Sequence, residues 1–177
     1  MSETSQNVWA PWRMEYIAEL ERNAGDGGCF LCRYREQPQQ DAQNHVLWRS
    51  ALTLTVLNRF PYTNGHLLIA PTAHCGEPED LPEDVLVELA LRVRDAKRVL
   101  QKAVHAQGFN IGMNLGRCAG AGLPEHIHWH VVPRWRGDTN FVPVMTDVRV
   151  IPQALQVVDE RFRSVAAELG LPSGDRQ

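Results

Sequence analysis

Apolar and polar residues alternate in several short segments of the chain, and turn-forming residues separate these segments. Alternation of this kind places every second side chain on one face of an extended strand. This alternation at residues 126–134, together with short runs bounded by turn residues at 45–49, 52–60, 66–71 and 109–115, predicts five strands. Between the third and fourth strands the period changes to that of a helix, over residues 82–106. Its apolar stripe is formed by Val85, Leu86, Leu89, Val93, Ala96, Leu100 and Ala103.

The remaining segments complete a predicted α+β architecture. A C-terminal helix is predicted at about residues 152–169, and a short helix at residues 12–23. Residues 29–32 are interpreted as a turn, and the polar, Gln-rich residues 35–44 as a surface loop. We find no internal repeat and no linker. The chain is therefore expected to form one domain over residues 1–177, with a five-stranded antiparallel sheet, a long helix and a C-terminal helix.

Composition narrows the classes of partner. The chain has 177 residues, 44% of them hydrophobic and 22% charged, with a formal net charge of −3. A negative net charge argues against a protein that wraps a nucleic-acid backbone. No apolar run is long enough for a membrane span, and the N-terminal residues lack the features of a signal peptide.

Four cysteines are present, and their spacing is uneven. Cys29 and Cys32 are close in sequence, whereas Cys75 and Cys118 stand alone. This pattern suits the reducing cytoplasm better than a disulfide framework. We therefore expect a cytoplasmic protein.

Three histidines alternate with apolar residues in the last predicted strand. His126, His128 and His130 would share one face of it, which predicts a nucleophile, metal or proton-transfer site because imidazole changes charge near neutral pH. The alternative is a solvent-facing strand that is merely rich in histidine. The preceding loop contains Gly116, Gly120 and Gly122, whose backbone N–H groups can approach an anion closely. Together the loop and the imidazoles indicate phosphoryl transfer.

These features resemble those of the histidine triad family. The resemblance covers the His-x-His-x-His segment, the upstream stretch at residues 57–69 that ends in Gly65-His66-Leu67-Leu68-Ile69, the segment 71–74, and residues 110–130. It extends over about residues 29–135. The segments at residues 9–17 and 130–135, with Glu125 and residues 138–141, look like the bacterial diadenosine tetraphosphate phosphorylase group of this family.

The resemblance implies a role for each matching residue. His128 would attack the α-phosphorus of a nucleotide and form a nucleotidyl-histidine intermediate, and His130 would bind the phosphate and assist the leaving group. His66 would support the triad, Asn58 would lie at the ribose and Asn114 at the phosphate. Gly120 and Gly122 would contribute loop amides, and Trp135 would lie near the adenine or at the mouth of the active site. The plain alternatives are a structural histidine for His66, turn or edge residues for the asparagines and a packed indole for Trp135.

A zinc site is the second implication. Cys29 and Cys32 have the spacing of a zinc knuckle. The zinc-bearing branch of the family completes such a site with two histidines, which here correspond to His74 and His126. Four protein ligands make a zinc site structural. The alternative is two ordinary buried thiols, and Cys75 is a competing ligand.

The acceptor of the nucleotidyl group stays open. Hydrolases of the family have a Gln in the loop before the triad, and the phosphorylase group has a serine where this chain has Gly122. Candidate substrates are a diadenosine polyphosphate, a nucleoside phosphoramidate or an adenylylated amine. A metal-binding module, a nucleotide-binding regulatory protein with little turnover and an enzyme that removes adenylate from nucleic-acid ends are the rival classes. The resemblance also implies a homodimer, for which the apolar end of the helix at 82–106 is the expected surface.

Overall fold

A computed structural model of the protein describes residues 28–138 and 153–171. The helix predicted at residues 12–23 lies outside this part of the chain. Within it the helices are α1 (Phe30–Glu36), α2 (Asp41–Asn44), α3 (Glu83–Val104) and α4 (Leu155–Glu168). The strands are β1 (Val46–Arg49), β2 (Thr53–Leu57), β3 (Leu67–Pro71), β4 (Gly108–Met113) and β5 (Trp129–Arg134).

The five strands form one antiparallel sheet in the order β1-β2-β3-β5-β4, which confirms the predicted fold class. The long helix α3 connects the central strand β3 to the edge strand β4, and β5 then inserts between them. In this register Leu68 of β3 pairs with His130, and Gly112 of β4 pairs with the same histidine from the other side. The histidine strand is therefore held on both sides by hydrogen bonds.

One face of the sheet carries α3 and α4. The stripe of α3 buries Val85, Leu89, Ala96 and Leu100, and α4 adds Phe162. Glu83 and Asp84 occupy the first turn of α3, where the helix dipole favours negative charge. Both helices were predicted with nearly these bounds, because their apolar residues recur at the helical period.

The opposite face is covered over only part of its width. Leu31 and Tyr34 of α1 pack with Val56 and Leu68, among others, in a second buried cluster. This cluster covers β1 to β3. His130 points to the same face as Leu68, its partner in the register, and lies on the part of the sheet beyond α1.

Three predictions about local structure are wrong. Residues 30–36 form a helix rather than a turn, with Cys29 as its N-terminal cap residue. The predicted loop at 35–44 contains a 3₁₀ turn (Pro38–Gln40) and α2, whose Asp41 is buried and bonded to Arg49. The Gln-rich composition of residues 35–44 therefore led to the wrong prediction of a surface loop for a packed segment.

The third error concerns the histidine strand, which begins only at Trp129. His126 and His128 precede it, so the three imidazoles do not lie along one regular strand. The apolar end of α3 is also not free for a partner, since Ala96, Val99 and Leu100 are buried within the chain's own core. The exposed apolar side chains of α3 lie in its first half, at Leu86, Val87 and Leu91. No helix in the described ranges is long and apolar enough to cross a bilayer.

Candidate functional site

His128 and His130 meet where β5 begins. Their ring centroids lie 4.9 Å apart in an edge-to-face arrangement. Nδ1 of His128 lies 2.9 Å from the backbone carbonyl oxygen of His126. A carbonyl oxygen can only accept, so Nδ1 carries the proton and donates it, and Nε2 keeps a lone pair.

Burial lowers the pKa of His128, and the bond to the His126 carbonyl opposes this effect only in part. The imidazole is therefore neutral near pH 7. A neutral imidazole with a defined tautomer and an unprotonated Nε2 is a competent nucleophile.

The tautomer of His130 is set through His66. The backbone N–H of Tyr62 donates to Nδ1 of His66 at 3.2 Å, so Nδ1 is an acceptor and the proton of His66 lies on Nε2. Nε2 of His66 donates in turn to Nδ1 of His130 at 3.0 Å. His130 therefore carries its own proton on Nε2, where it can donate to an oxyanion. Burial, with the charge of His128 as a smaller cause, lowers the pKa of His130 to about 4.

Asn58 and Tyr62 hold His66 from two directions. Nδ2 of Asn58 donates to Nδ1 of His66 at 3.1 Å, and Oδ1 accepts the backbone N–H of Phe60 at 3.0 Å. The Tyr62 ring stacks on the His66 ring, with centroids 4.7 Å apart, and reaches His130 at 5.8 Å. His66 itself is completely buried. The structure thus places His66 in contact with His130, one of the two triad histidines at the start of β5.

Asn114 lies at the open side of His130. Its Nδ2 atom is 3.5 Å from Nε2 of His130, and both atoms are donors in the tautomers derived above. The amide is either rotated, so that its oxygen accepts, or both groups point to a common acceptor. A phosphate oxygen is such an acceptor.

The glycine-rich loop makes a tight turn before the histidines. Gly116 and Gly120 have positive φ angles of 77° and 87° around a 3₁₀ turn (Arg117–Ala119). The N–H of Gly120 donates to the carbonyl of Arg117, so this amide is engaged within the loop. Gly122 makes no such backbone bond within the described ranges, and of the two predicted loop amides it is the one available to an anion.

A cluster of two thiols and two imidazoles lies near His128. One ligand atom each from Cys29, Cys32, His74 and His126 falls within 4.8 Å of the others. Sγ of Cys29 is 3.0 Å from Nδ1 of His126, and Sγ of Cys32 is 3.3 Å from Nδ1 of His74. The cluster joins α1, the segment after β3 and the segment before β5. Cys75 is not part of it and donates to the carbonyl of Glu77 instead.

These side chains fit a metal ion. Tetrahedral coordination by sulfur and nitrogen at ordinary bond lengths puts neighbouring ligand atoms about 3.5 Å apart. Nε2 of His126 lies 2.9 Å from the carbonyl oxygen of Pro71 and donates to it, which leaves Nδ1 unprotonated towards the thiols. Burial, followed by the neighbouring thiol of Cys32, raises the pKa of Cys29 to about 11. A bound cation reverses this effect by stabilising the thiolates.

Trp135 was predicted to contact the nucleotide, but it lies on the opposite side of the sheet from His130. Its indole packs against the core on the α3 side of the sheet, and Nε1 donates to the carbonyl of Val104 at 3.0 Å. This position favours the alternative of a packed indole. Sequence reasoning also missed Tyr62 and the group formed by Asn110, Arg134 and Asp138 on the histidine face. Register along β4 and β5 would have found Asn110 and Arg134, but nothing in the pattern marked Tyr62.

Comparison with known proteins gives consistent matches. The model of the HIT domain matches residues 39–137. The AP-4-A phosphorylase of Mycobacterium tuberculosis is 40% identical over 154 residues, which cover 85% of this chain and 79% of that protein. The asymmetrical bis(5'-nucleosyl)-tetraphosphatase of Schizosaccharomyces pombe is 33% identical over 95 residues, covering 54% of this chain and 52% of the relative. Among solved structures, a Zn-bound histidine triad family protein from Mycobacterium smegmatis superposes with a TM-score of 0.63. It is 26% identical, and the match covers 78% of this chain and 95% of that one.

Proposed function

The chain belongs to the histidine triad (HIT) family, and we propose that it is a nucleotidyl-transferring enzyme that cleaves diadenosine polyphosphates at the α-phosphorus. Nε2 of His128 attacks this phosphorus, an N–P bond forms, and the bond from phosphorus to the bridging oxygen breaks. The bridging oxygen leaves with the second nucleotide, which is ATP when the substrate is diadenosine tetraphosphate. An acceptor then attacks the same phosphorus and releases His128.

The state of the His128 imidazole carries this proposal. Its proton lies on Nδ1, bonded to the His126 carbonyl, so that Nε2 is free to form a bond to phosphorus. A histidine-rich strand without chemical function would need no such arrangement. A module in which all three imidazoles bind one metal is disfavoured because His126 lies with the thiols, whereas His130 bonds to His66.

The groups around His128 are assigned to the transition state and the nucleoside. His130 donates its Nε2–H to the phosphate and to the departing oxygen, Asn114 binds a phosphate oxygen, and Gly122 offers its amide. Asn58 lies at the ribose. The acceptor is inorganic phosphate in this proposal, because the relative from M. tuberculosis is named a phosphorylase. Water is the alternative acceptor, in line with the tetraphosphatase of S. pombe.

We also propose that the thiol and imidazole cluster binds a structural Zn²⁺. Two thiolates and two imidazoles are typical ligands of this ion, and four protein ligands leave no open position for substrate. When bound, the ion supplies charge that keeps both thiols ionised. Cys29, Cys32, His74 and His126 would then hold α1 against the segment that precedes His128. The Zn-bound relative from M. smegmatis supports this assignment.

The proposal extends to the oligomeric state, the location and the class of partner. We propose one catalytic domain that acts in the cytoplasm as a homodimer, through the edge strand β4 and the exposed first half of α3. Leu86, Val87 and Leu91 are the apolar side chains on that part of α3. All four cysteines are free thiols in the structure, as in the cytoplasm. The net charge of −3 supports a small nucleotide rather than nucleic acid as the partner.

Product analysis tests the proposed reaction. Purified protein is incubated with diadenosine tetraphosphate, with and without inorganic phosphate, and the nucleotides are separated. ADP and ATP that form only with phosphate are the expected products. AMP and ATP without phosphate would identify a hydrolase, and no cleavage under either condition would contradict the proposed substrate class.

The His128→Ala variant is the control for mechanism. Loss of a covalent nucleophile lowers kcat by roughly a thousandfold or more. Unchanged binding of AMP, measured by calorimetry, would separate loss of chemistry from loss of the site. A variant that keeps its activity would remove the nucleophile from the proposal.

A further inference from the structure

The histidine face of the sheet holds a cleft that α1 does not cover. It has a volume of about 500 Å³ and runs over β5 and β4, away from α1. His130, whose ring is next to that of His128, borders one end of the cleft with Asn114 and Tyr62, and Asn110, Arg134 and Asp138 border it further along. This volume lies within the range of small-molecule binding sites. The reaction at His128 alone does not use the far part of the cleft.

The far end is built for hydroxyl and base groups rather than for phosphate. Asp138 accepts two hydrogen bonds from Arg134, at 2.6 and 2.9 Å, and Oδ1 of Asn110 accepts a third at 2.8 Å. The carboxylate neutralises the guanidinium, so this end offers no excess positive charge to an anion. The Arg134 bond fixes the Asn110 side chain with its oxygen occupied, and its Nδ2 group is the one that a ligand would meet.

The length of the cleft suits a large leaving group. His130 and Arg134 are four residues apart on β5, which corresponds to about 13 Å along an extended strand. A group that begins at the phosphorus beside His128 and ends at Arg134 must therefore be long. Ammonia or a small amine would leave most of the cleft empty, whereas a polyphosphate that ends in a second nucleoside would fill it.

We propose that this cleft binds the departing nucleotide, with its nucleoside against Asn110, Arg134 and Asp138. This inference rests on the proposed nucleotidyl transfer and deepens it. A cleft of this kind favours substrates in which a polyphosphate joins two nucleosides. Phosphoramidates share only the adenylyl half of such substrates and would gain nothing from it. The half-exposed ring of Tyr62, which already stacks on His66, lines the path between the two ends.

Gly112 lines the cleft, and a substitution at this position would place a side chain in it. It pairs with His130 across β4 and β5, and a Cβ atom added there meets no other atom within 4 Å. Its backbone has no positive φ angle, so a side chain is accommodated without strain. Valine at this position would occupy the cleft next to His130 and favour the strand.

The test compares two substrates with the same adenylyl group. Steady-state kinetics of Gly112→Val are measured with diadenosine tetraphosphate and with adenosine 5'-phosphoramidate. We expect the ratio of the two kcat/KM values to shift against the dinucleotide by about tenfold or more. Ala51→Val, an exposed position in the turn between β1 and β2 at the opposite edge of the sheet, adds similar bulk and should keep the ratio of the wild type.

Binding separates failure of the inference from failure of the proposed function. In the His128→Ala background, Gly112→Val should weaken the binding of diadenosine tetraphosphate and leave that of AMP unaffected. Equal losses for both ligands, or no loss for either, would overturn the cleft as the leaving-nucleotide site. If Gly112→Val weakens only the binding of diadenosine tetraphosphate, and the wild-type protein shows no turnover, the proposed chemistry would be overturned and the site kept.

Discussion

The imidazole of His128 differs from that of a free histidine in two respects, its burial and its fixed tautomer. Burial favours the uncharged ring and lowers its pKa below the ordinary value of 6.5. A lowered pKa means that protonation needs a more acidic solution, so the His128 imidazole stays neutral as the pH falls past 6.5. Substrate attack is lost only when the pH falls through the lowered value.

The acid limb of kcat/KM for diadenosine tetraphosphate is therefore expected below pH 6.5. In a reaction with a covalent intermediate, kcat/KM for this substrate reports the first half-reaction and the free enzyme, whatever the acceptor. The profile is measured at constant ionic strength, with circular dichroism at each pH to exclude unfolding. An acid limb at or above pH 6.5 would show that the desolvation of His128 is not maintained in solution.

At the scale of elements, one turn connects the site to the C-terminal helix. Gly65, directly before His66, has a φ angle of 82°, and a Cβ atom placed on it would lie 2.9 Å from Cζ of Phe162 in α4. Leu100 of α3 is 3.3 Å away. The C-terminal helix thus packs against the backbone that positions His66.

Gly65→Ala should therefore weaken both stability and catalysis. A non-glycine residue at positive φ costs about 1–2 kcal/mol, and the contact with Phe162 adds to this cost. Denaturant unfolding should show the loss of stability, and kcat should fall because His66 moves relative to His130. Gly112→Ala is the control, since neither backbone strain nor a close neighbour opposes it, and its unfolding midpoint should match the wild type. A Gly65→Ala protein with unchanged midpoint would mean that the turn relaxes freely.

The limits of sequence prediction lie at the same scale. The long helices were predictable because each has one apolar face at a regular period. The buried strands β2 and β3 were predictable as short apolar or β-branched runs bounded by turn residues. The helix after Cys29 and the packed segment around Asp41 were not, because short helices of few apolar residues have no period to detect. His126 was predicted to share a strand face with the other two histidines. Its place beside the thiols was implied only by the family resemblance, because it depends on Pro71 and on α1, which contact it only in three dimensions.

Tyr62 illustrates the same limit within the site. His66, Asn58 and Asn114 were predicted because a family pattern marks them, and the structure brings all three to His130 or to its neighbour. The stacking of Tyr62 on His66 follows from the path of the turn, which the spacing of residues does not reveal. The sequence thus predicts which groups carry the chemistry better than it predicts which groups hold them in place.

For the whole molecule, the thiol and imidazole cluster connects parts that are far apart in sequence. Cys29 and Cys32 belong to the beginning of α1, His74 follows β3, and His126 precedes His128 by two positions. Removal of one thiol should therefore affect metal content, stability and activity together. Cys29→Ser is expected to lower bound zinc, measured by atomic emission, and to lower the melting temperature.

Activity should fall in Cys29→Ser for a reason separate from substrate binding. Nδ1 of His128 donates to the backbone carbonyl of His126. If His126 is displaced, this bond is lost and the proton of His128 is no longer held on Nδ1. Cys118→Ser is the matched control, because Cys118 is an exposed thiol outside the cluster. It should keep the zinc content and melting temperature of the wild type. Loss of zinc without any loss of kcat in Cys29→Ser would mean that β3 and β5 hold His128 in place without the metal, and that the cluster serves stability alone.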